Sequence, residues 1–166
     1  RSGTTPQGAL TANTPIKGKL QPRKDVAAIL AAHNIEYVAS TSAAYPLDLY
    51  DKIKKALTYK GVKYIHIQIP CPPGWGFEPR CAIKVGKLAV ETGLSELYEI
   101  EKGQLRHTGA SRKLMEKRKL LPVSDYFRSQ SRFGLLSGED IREIQESITS
   151  RWEDYFETLD DIESSE

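Results

Sequence analysis

Several things are scarce in this sequence, and each scarcity removes a class of protein. Cysteine occurs twice in 166 residues, at Cys71 and Cys81. Two thiols so placed make neither a disulfide framework nor a CxxC motif. The three histidines, His33, His66 and His107, are scattered without zinc-ligand spacing, so the residues alone spell no complete metal site. No apolar run is long enough to cross a bilayer and no segment is built like a signal peptide. A cytoplasmic location with no membrane partner is the default expectation. Excess charge of one sign is also missing. The net charge is +2, which removes a global electrostatic case for nucleic acid. Walker A and dinucleotide fingerprints are absent.

What is present suits a folded α/β protein. Hydrophobic residues make up 39% and charged residues 28%, an ordinary balance for a chain that buries a core. Lys24 to His33 carries Val26, Ile29, Leu30 and His33 at helical spacing, with Asp25 at its start. Ile35 to Thr41 reads as a strand. Pro46 opens a second helix whose expected buried face is Leu49, Ile53, Ala56 and Leu57, with Gly61 beyond it. Val62 to Ile69 alternates Ile65, Ile67 and Ile69 with Tyr64, His66 and Gln68. Neither set is strongly charged, so a central strand covered on both faces is expected.

A further helix runs from Cys81 to Thr92 and stops at Gly93, and Leu97 to Thr108 reads as a hairpin turning at Lys102-Gly103. The basic run Ser111 to Lys119 reads as a solvated connector, and the acidic run Asp160 to Glu166 as a solvated tail. Between them, Ser137 and Asp140 form a capping-box pattern. The helix that follows to Phe156 bears an apolar stripe of Ile141, Ile144, Ile148, Trp152 and Tyr155, expected in the core or at a subunit contact. Two regions result, 1–110 as α/β and 111–166 as connector and helical extension.

The stretch "IQIPCPPGWGFEP" carries the strongest hint of chemistry. Ligands in open α/β sheets bind outside the carboxyl ends of strands, and Cys71 follows such a strand directly. Pro70, Pro72 and Pro73 restrict its backbone. That stiffness suits a metal ligand or nucleophile, and suits equally a small buried hydrophobe in a steering loop. No base is evident beside it. Cys81, beside Ala82 and Ile83, reads as structural. The opening "SGTTPQGALT" places Gly3, Gly8 and hydroxyls in a loop that could line a phosphate-bearing cofactor through backbone N–H groups. Asp48 and Asp51, like Glu139, Asp140 and Glu143, sit where helix starts explain them.

Four segments in order, "SGTTPQGALTANTPIKGK", "KDVAAILAAHNIEYVAST", "GVKYIHIQIPCPPGW" and "KLAVETGLSELYEIEKG", resemble the second half of the β subunit of pyruvate:ferredoxin oxidoreductase (pyruvate synthase). The related 2-oxoisovalerate and oxalate enzymes are close alternatives. The resemblance runs from Arg1 to about Phe133. It implies part of a thiamine-diphosphate-binding α/β fold, a mostly parallel sheet flanked by helices, here with a hairpin and a helical carboxyl-terminal extension. It implies oxidative decarboxylation of a 2-oxoacid to acyl-CoA and CO2, or the reverse synthase reaction. Thiamine diphosphate and magnesium would serve the chemistry, and a 4Fe-4S cluster would reduce ferredoxin. Cys71 matches a cluster ligand, one of the four thiolates such a cluster needs. Thr4 and Thr5 continue the magnesium loop and would lie near thiamine diphosphate. The Gly-Asp-Gly motif and the other cluster cysteines do not occur in this chain.

Other subunits, including protein supplying the first half of the β subunit, are therefore implied partners, with ferredoxin, coenzyme A and the 2-oxoacid. The chain alone is expected to be inactive. Its long loop-like opening from Arg1 suggests a fragment, a split subunit or a processed terminus. A non-catalytic assembly module, docking through a half-sheet edge and the Ile141–Trp152 stripe, is the alternative. A stand-alone enzyme using Cys71 is a third reading, short of a base.

Overall fold

The computed structural model describes residues 3–163; Arg1, Ser2 and the end of the acidic tail, Ser164 to Glu166, lie outside the described residues. Helix α1 (Val26–Ala31) leads into strand β1 (Tyr37–Ser42), helix α2 (Pro46–Ala56) and strand β2 (Lys63–Gln68). A short α3 (Pro72–Trp75) and α4 (Ala82–Glu91) precede the hairpin β3 (Tyr98–Glu101) and β4 (Gln104–His107). Helices α5 (Gly109–Lys117), α6 (Val123–Arg128) and α7 (Gly138–Glu163) complete the chain.

The α/β class expected from the sequence is the one observed. The sheet order is β2-β1-β3-β4. Only β1 and β2 run parallel, with Val38 opposite Tyr64 and Thr41 opposite Ile67. The hairpin docks antiparallel on the other side of β1, Val38 opposite Ile100. Its tight turn uses Lys102 (φ 49°) and Gly103 (φ 83°), the left-handed pair that matches the twist of two short strands. The sheet is thus mixed. Parallel pairing is confined to the one βαβ unit, because a two-residue turn can join only antiparallel neighbours.

This topology corrects one expectation directly. β2 is an edge strand among the described residues, not a central one. Val62, Ile67 and Ile69 are exposed, since nothing described pairs with the strand's outer side.

Helix α2 departs further. Leu47, Tyr50, Ile53 and Leu57 face outward, while Lys52 is 1% exposed. Of the expected face only Ala56 is buried and Leu49 half-buried. The cause is the sheet beneath. Lys52 Nζ donates to Asp48 Oδ2 and to the Ser40 carbonyl, each at 2.7 Å. Thr41 and Thr108 hydroxyls donate to the two Asp48 oxygens at 2.7 and 2.6 Å. Lys55 reaches Glu99 and Glu101 of β3. The sheet shows this side carboxylates and hydroxyls, so α2 turns its charged residues inward. Helix α1 shifts likewise: Ala27 is buried while Ile29 and His33 are exposed, because small residues let it lie close on Val38, Tyr98 and Ile100.

The run 111–119 is not a solvated connector. Residues up to Lys117 belong to α5, which buries Ser111 and Met115. The largest core joins Val85 and Ala89 of α4 with Met115, Val123, Tyr126, Phe127, Phe133, Ile148 and Trp152. The α7 stripe packs against this core, with Ile148 and Trp152 buried and Ile141, Ile144 and Tyr155 half-buried. Trp152 Nε1 donates to the Gly93 carbonyl at 3.1 Å. The capping box forms as expected: Ser137 Oγ accepts from the Asp140 amide at 3.1 Å, and the Asp140 carboxylate accepts from the Ser137 amide at 2.8 Å.

Candidate functional site

The site is built from a proline loop and the segment that clamps it. Pro70 is buried and brings the chain out of β2. Cys71 occupies the N-cap of α3, with Pro72 and Pro73 opening the single turn. The Trp75 amide donates to the Cys71 carbonyl and the Gly76 amide to that of Pro72, both at 2.9 Å. Gly76 then ends the turn with φ 70°, a left-handed conformation that favours glycine. A side chain there would also strike Ser131, whose Oγ lies 1.8 Å from the place a Cβ would take. The Ser131 amide donates to the Gly76 carbonyl at 2.9 Å, so two segments distant in sequence are pinned together. Inside the turn, a Cβ on Gly74 would sit 3.1 Å from Cys71 Sγ. The loop leaves the sulfur room, and the thiol is exposed and free.

Beside this loop lies a cavity of about 310 Å³. Its wall includes Thr4 and Thr5 from the opening loop, His66 and Gln68 from β2, Trp75 and Arg132. Gln68 Oε1 is buried there without a hydrogen-bond partner. Arg132 is 7% exposed. Its guanidinium lies 3.8 Å from the Trp75 ring centroid and 4.8 Å from that of Phe133. It donates to Gln130 Oε1 at 2.9 Å and to the Tyr126 hydroxyl at 2.8 Å. Burial lowers its pKa from the usual arginine range, while Tyr126 and an ionised Cys71 act in the opposite sense. Burial, helped by the charge of Arg23, also lowers the His66 pKa, which keeps that imidazole neutral near pH 7.

The structure thus brings Thr4 and Thr5 to the same cavity as Trp75, four residues beyond Cys71. Cys71 itself stands outside the lining of this cavity. Cys81 packs against the core, in keeping with a structural role. Among the described residues no group of three or more His, Cys, Asp and Glu side chains is arranged to hold a metal. Sequence reading missed Arg132 and Ser131 altogether. Both sit in a short segment after α6 that has no motif, and only tertiary contact gives them meaning. His66 was visible only as one of three scattered histidines. Asp48, read as a simple helix-start acid, is instead a buried ion-pair partner.

Comparison with known proteins fixes the relationship. No protein-family model matches the chain. Pyruvate synthase subunit PorB of Methanocaldococcus jannaschii is 43% identical over 155 residues, covering 91% of this chain and 50% of that subunit. The Thermotoga maritima PorB subunit is 36% identical over 162 residues, covering 92% and 48%. This chain is thus similar to about half of each PorB subunit. Ketoisovalerate oxidoreductase subunit VorB of Pyrococcus furiosus is also similar, 36% identical over 157 residues, covering 92% and 49%. The chain spans about half the length of the curated relatives it matches. All three relatives bear the names of oxidoreductase subunits. Among the described residues no helix is long and apolar enough to cross a membrane.

Proposed function

We propose that this chain is a working part of a multi-subunit 2-oxoacid:ferredoxin oxidoreductase, with pyruvate as the oxoacid. The reaction converts a 2-oxoacid and coenzyme A to acyl-CoA and CO2, and the electron pair released passes to ferredoxin; the synthase direction reverses it. The oxoisovalerate version is the nearest variant, supported by the VorB relatives. The oxalate version rests on resemblance alone. The observation that carries the reading is Cys71, exposed on a stiff loop at the carboxyl end of β2, beside a cavity that Thr4 and Thr5 help to wall.

The residues fit the implied groups unequally. For a 4Fe-4S cluster they offer one suitable donor. The sulfur is uncommitted and Gly74 leaves it a cradle, so Cys71 supplies one thiolate and cysteines outside this chain supply the rest. Thr4 and Thr5 offer polar wall to thiamine diphosphate. Magnesium finds no set of acidic, histidine or cysteine donors among the described residues, so its ligands come from elsewhere in the assembly. When bound, thiamine diphosphate supplies the carbon chemistry and the cluster carries single electrons. The chain's own residues position and shield. Trp75 and the prolines hold the exposed Cys71 loop in place, and neutral His66 presents a polar but uncharged face to the cavity.

The chain's partners follow from β2. In an extended strand, N–H and C=O groups alternate sides. The Gln68 carbonyl accepts from Ala43, beyond β1, so Ile65 and Ile67 turn theirs outward. An unpaired edge with exposed Ile67 and Ile69 has a single charge, Lys63 at its start, to protect it as free edges are protected. It suits continuation of the sheet by protein supplying the first half of the β subunit. An assembly role without chemistry would use the same edge, and Cys71 separates the two readings. Cys71→Ser in the purified native complex should lower cluster iron and abolish its electron paramagnetic resonance signal. Full iron with an unchanged signal would remove the ligand assignment and leave the assembly role.

A further inference from the structure

Buried charges in folded proteins are ordinarily paired or neutralised, because an isolated ion is costly to hold away from water. Arg132 breaks that pattern. It is 7% exposed, yet its donors reach only neutral acceptors, Gln130 Oε1 and the Tyr126 hydroxyl. Two aromatic faces cover the guanidinium. No carboxylate stands within ion-pair distance of it among the described residues. The surroundings do not offset this charge. Arg23 and Lys24 line the same cavity. The acids there are engaged, Glu96 with Arg151 and His107 and Asp25 with Tyr98 and the α1 amide of Ala28. The wall therefore holds a fixed, buried cation with which neither of its carboxylates, Asp25 or Glu96, makes an ion pair.

We propose that Arg132 is the counter-charge of the iron–sulfur cluster that Cys71 helps to hold, and that it raises the potential at which the cluster accepts an electron. This rests on the reading of Cys71 given above. Trp75, against which Arg132 stacks, lies one helical turn from Cys71 and is bonded to its carbonyl at 2.9 Å. A cluster bound by thiolates is an anion, and net charge and nearby dipoles set its potential. Taking up one electron adds one unit of negative charge and makes or breaks no bond; the electron comes from the oxidised oxoacid and leaves to ferredoxin. A fixed cation stabilises the reduced form more than the oxidised form, and does so strongly where water is excluded. Arg132 is thus a positioning residue, held by Tyr126, Gln130 and Trp75 so that its charge does not move as the cluster cycles.

The test uses the native complex carrying Arg132→Gln or Arg132→Lys, with iron quantified and the cluster titrated under electron paramagnetic resonance. Arg132→Gln is expected to keep its iron and titrate at a more negative potential, and Arg132→Lys to return most of the shift. Full iron with an unchanged potential in Arg132→Gln overturns the proposal. If Arg132→Gln fails to hold the cluster, Arg132→Lys decides. A retained cluster near the wild-type potential supports a requirement for charge; loss in both shows that shape alone matters and overturns it. Cys71→Ser run in parallel separates the two readings. Unchanged iron in that variant sinks the ligand assignment, whereas a shift in Arg132→Gln still reports a cation beside a cluster.

Discussion

Replacing Lys52 by Met tests whether α2 truly lies charged side down. The Lys52 side chain is 2% exposed and that of Asp48 8%, so solvent screens neither. Removing one partner of such a pair generally costs about 3–5 kcal/mol, because the other charge stays buried. The structure says where in that range each variant falls. Lys52→Met leaves Asp48 the hydroxyls of Thr41 and Thr108, so the loss belongs at the low end, about 3 kcal/mol. Asp48→Leu leaves the Lys52 ammonium only the Ser40 carbonyl, so its loss belongs near the top, about 5 kcal/mol. Combining Lys52→Met with Asp48→Leu removes both charges and should cost less than the sum of the two. Urea unfolding followed by tryptophan fluorescence is the assay, since urea, unlike guanidinium, adds no ions to screen the pair. With an m-value of about 2 kcal/mol per molar, Lys52→Met should lower the midpoint by about 1.5 M. A loss under about 1 kcal/mol, the range of solvated pairs, would refute the inward placement of Lys52.

Two further predictions concern the clamp and the buried acid. Gly76→Ala combines a left-handed backbone with an overlap on Ser131 Oγ and should cost about 2 kcal/mol or more, seen as a lower melting temperature. Ser131→Gly should recover the steric part only, and an unchanged melting temperature in Gly76→Ala would refute the clamp. Burial works against ionised Glu96, but its bond to His107 and the nearby Arg151 outweigh that and hold its pKa below the ordinary value of 4.5. The sign follows from the depressed folded value: the stabilisation is complete above about pH 4.5 and is lost as pH falls through the folded pKa. Glu96→Gln should therefore flatten the acid limb of a stability-against-pH curve while lowering stability near neutrality. An acid limb as steep as wild type would show that another group carries it.

Local signals placed most elements and misplaced most faces. The hairpin turn, the Ser137–Asp140 capping box and the α7 stripe each depend on neighbours within one or two turns, and each formed as read. Faces depend on what lies across the interface. The expected α2 face assumed an apolar sheet, but Thr41, Glu99 and Glu101 confront that helix, and their burial follows from the register of β3 on β1. No periodicity within α2 encodes that register. The basic run misled for a related reason. Lysines at 113 and 117 face water while Ser111 and Met115 supply the contact, so a charged composition concealed a packed helix. For β2 the alternation was visible, but the number of neighbours a strand has is a property of the whole sheet.

The candidate site divides along the same line. Cys71 stood out because three prolines constrain it locally, and the chain segment alone shows that much. What makes the loop a rigid platform lies elsewhere. Ser131 fits against Gly76 only because that glycine lacks a side chain, and Arg132 covers Trp75 only because α6 packs under α4 through Tyr126 and Phe127. A proline loop unsupported by that segment would be stiff within itself but free to tilt on β2. The clamp converts local stiffness into a fixed position relative to the sheet, and fixed position is what a donor shared with another polypeptide requires. An arginine chosen only to brace Trp75 would gain from a carboxylate neighbour. Its burial among neutral acceptors instead makes the charge costly to keep, and that cost is intelligible where an anion completes the site.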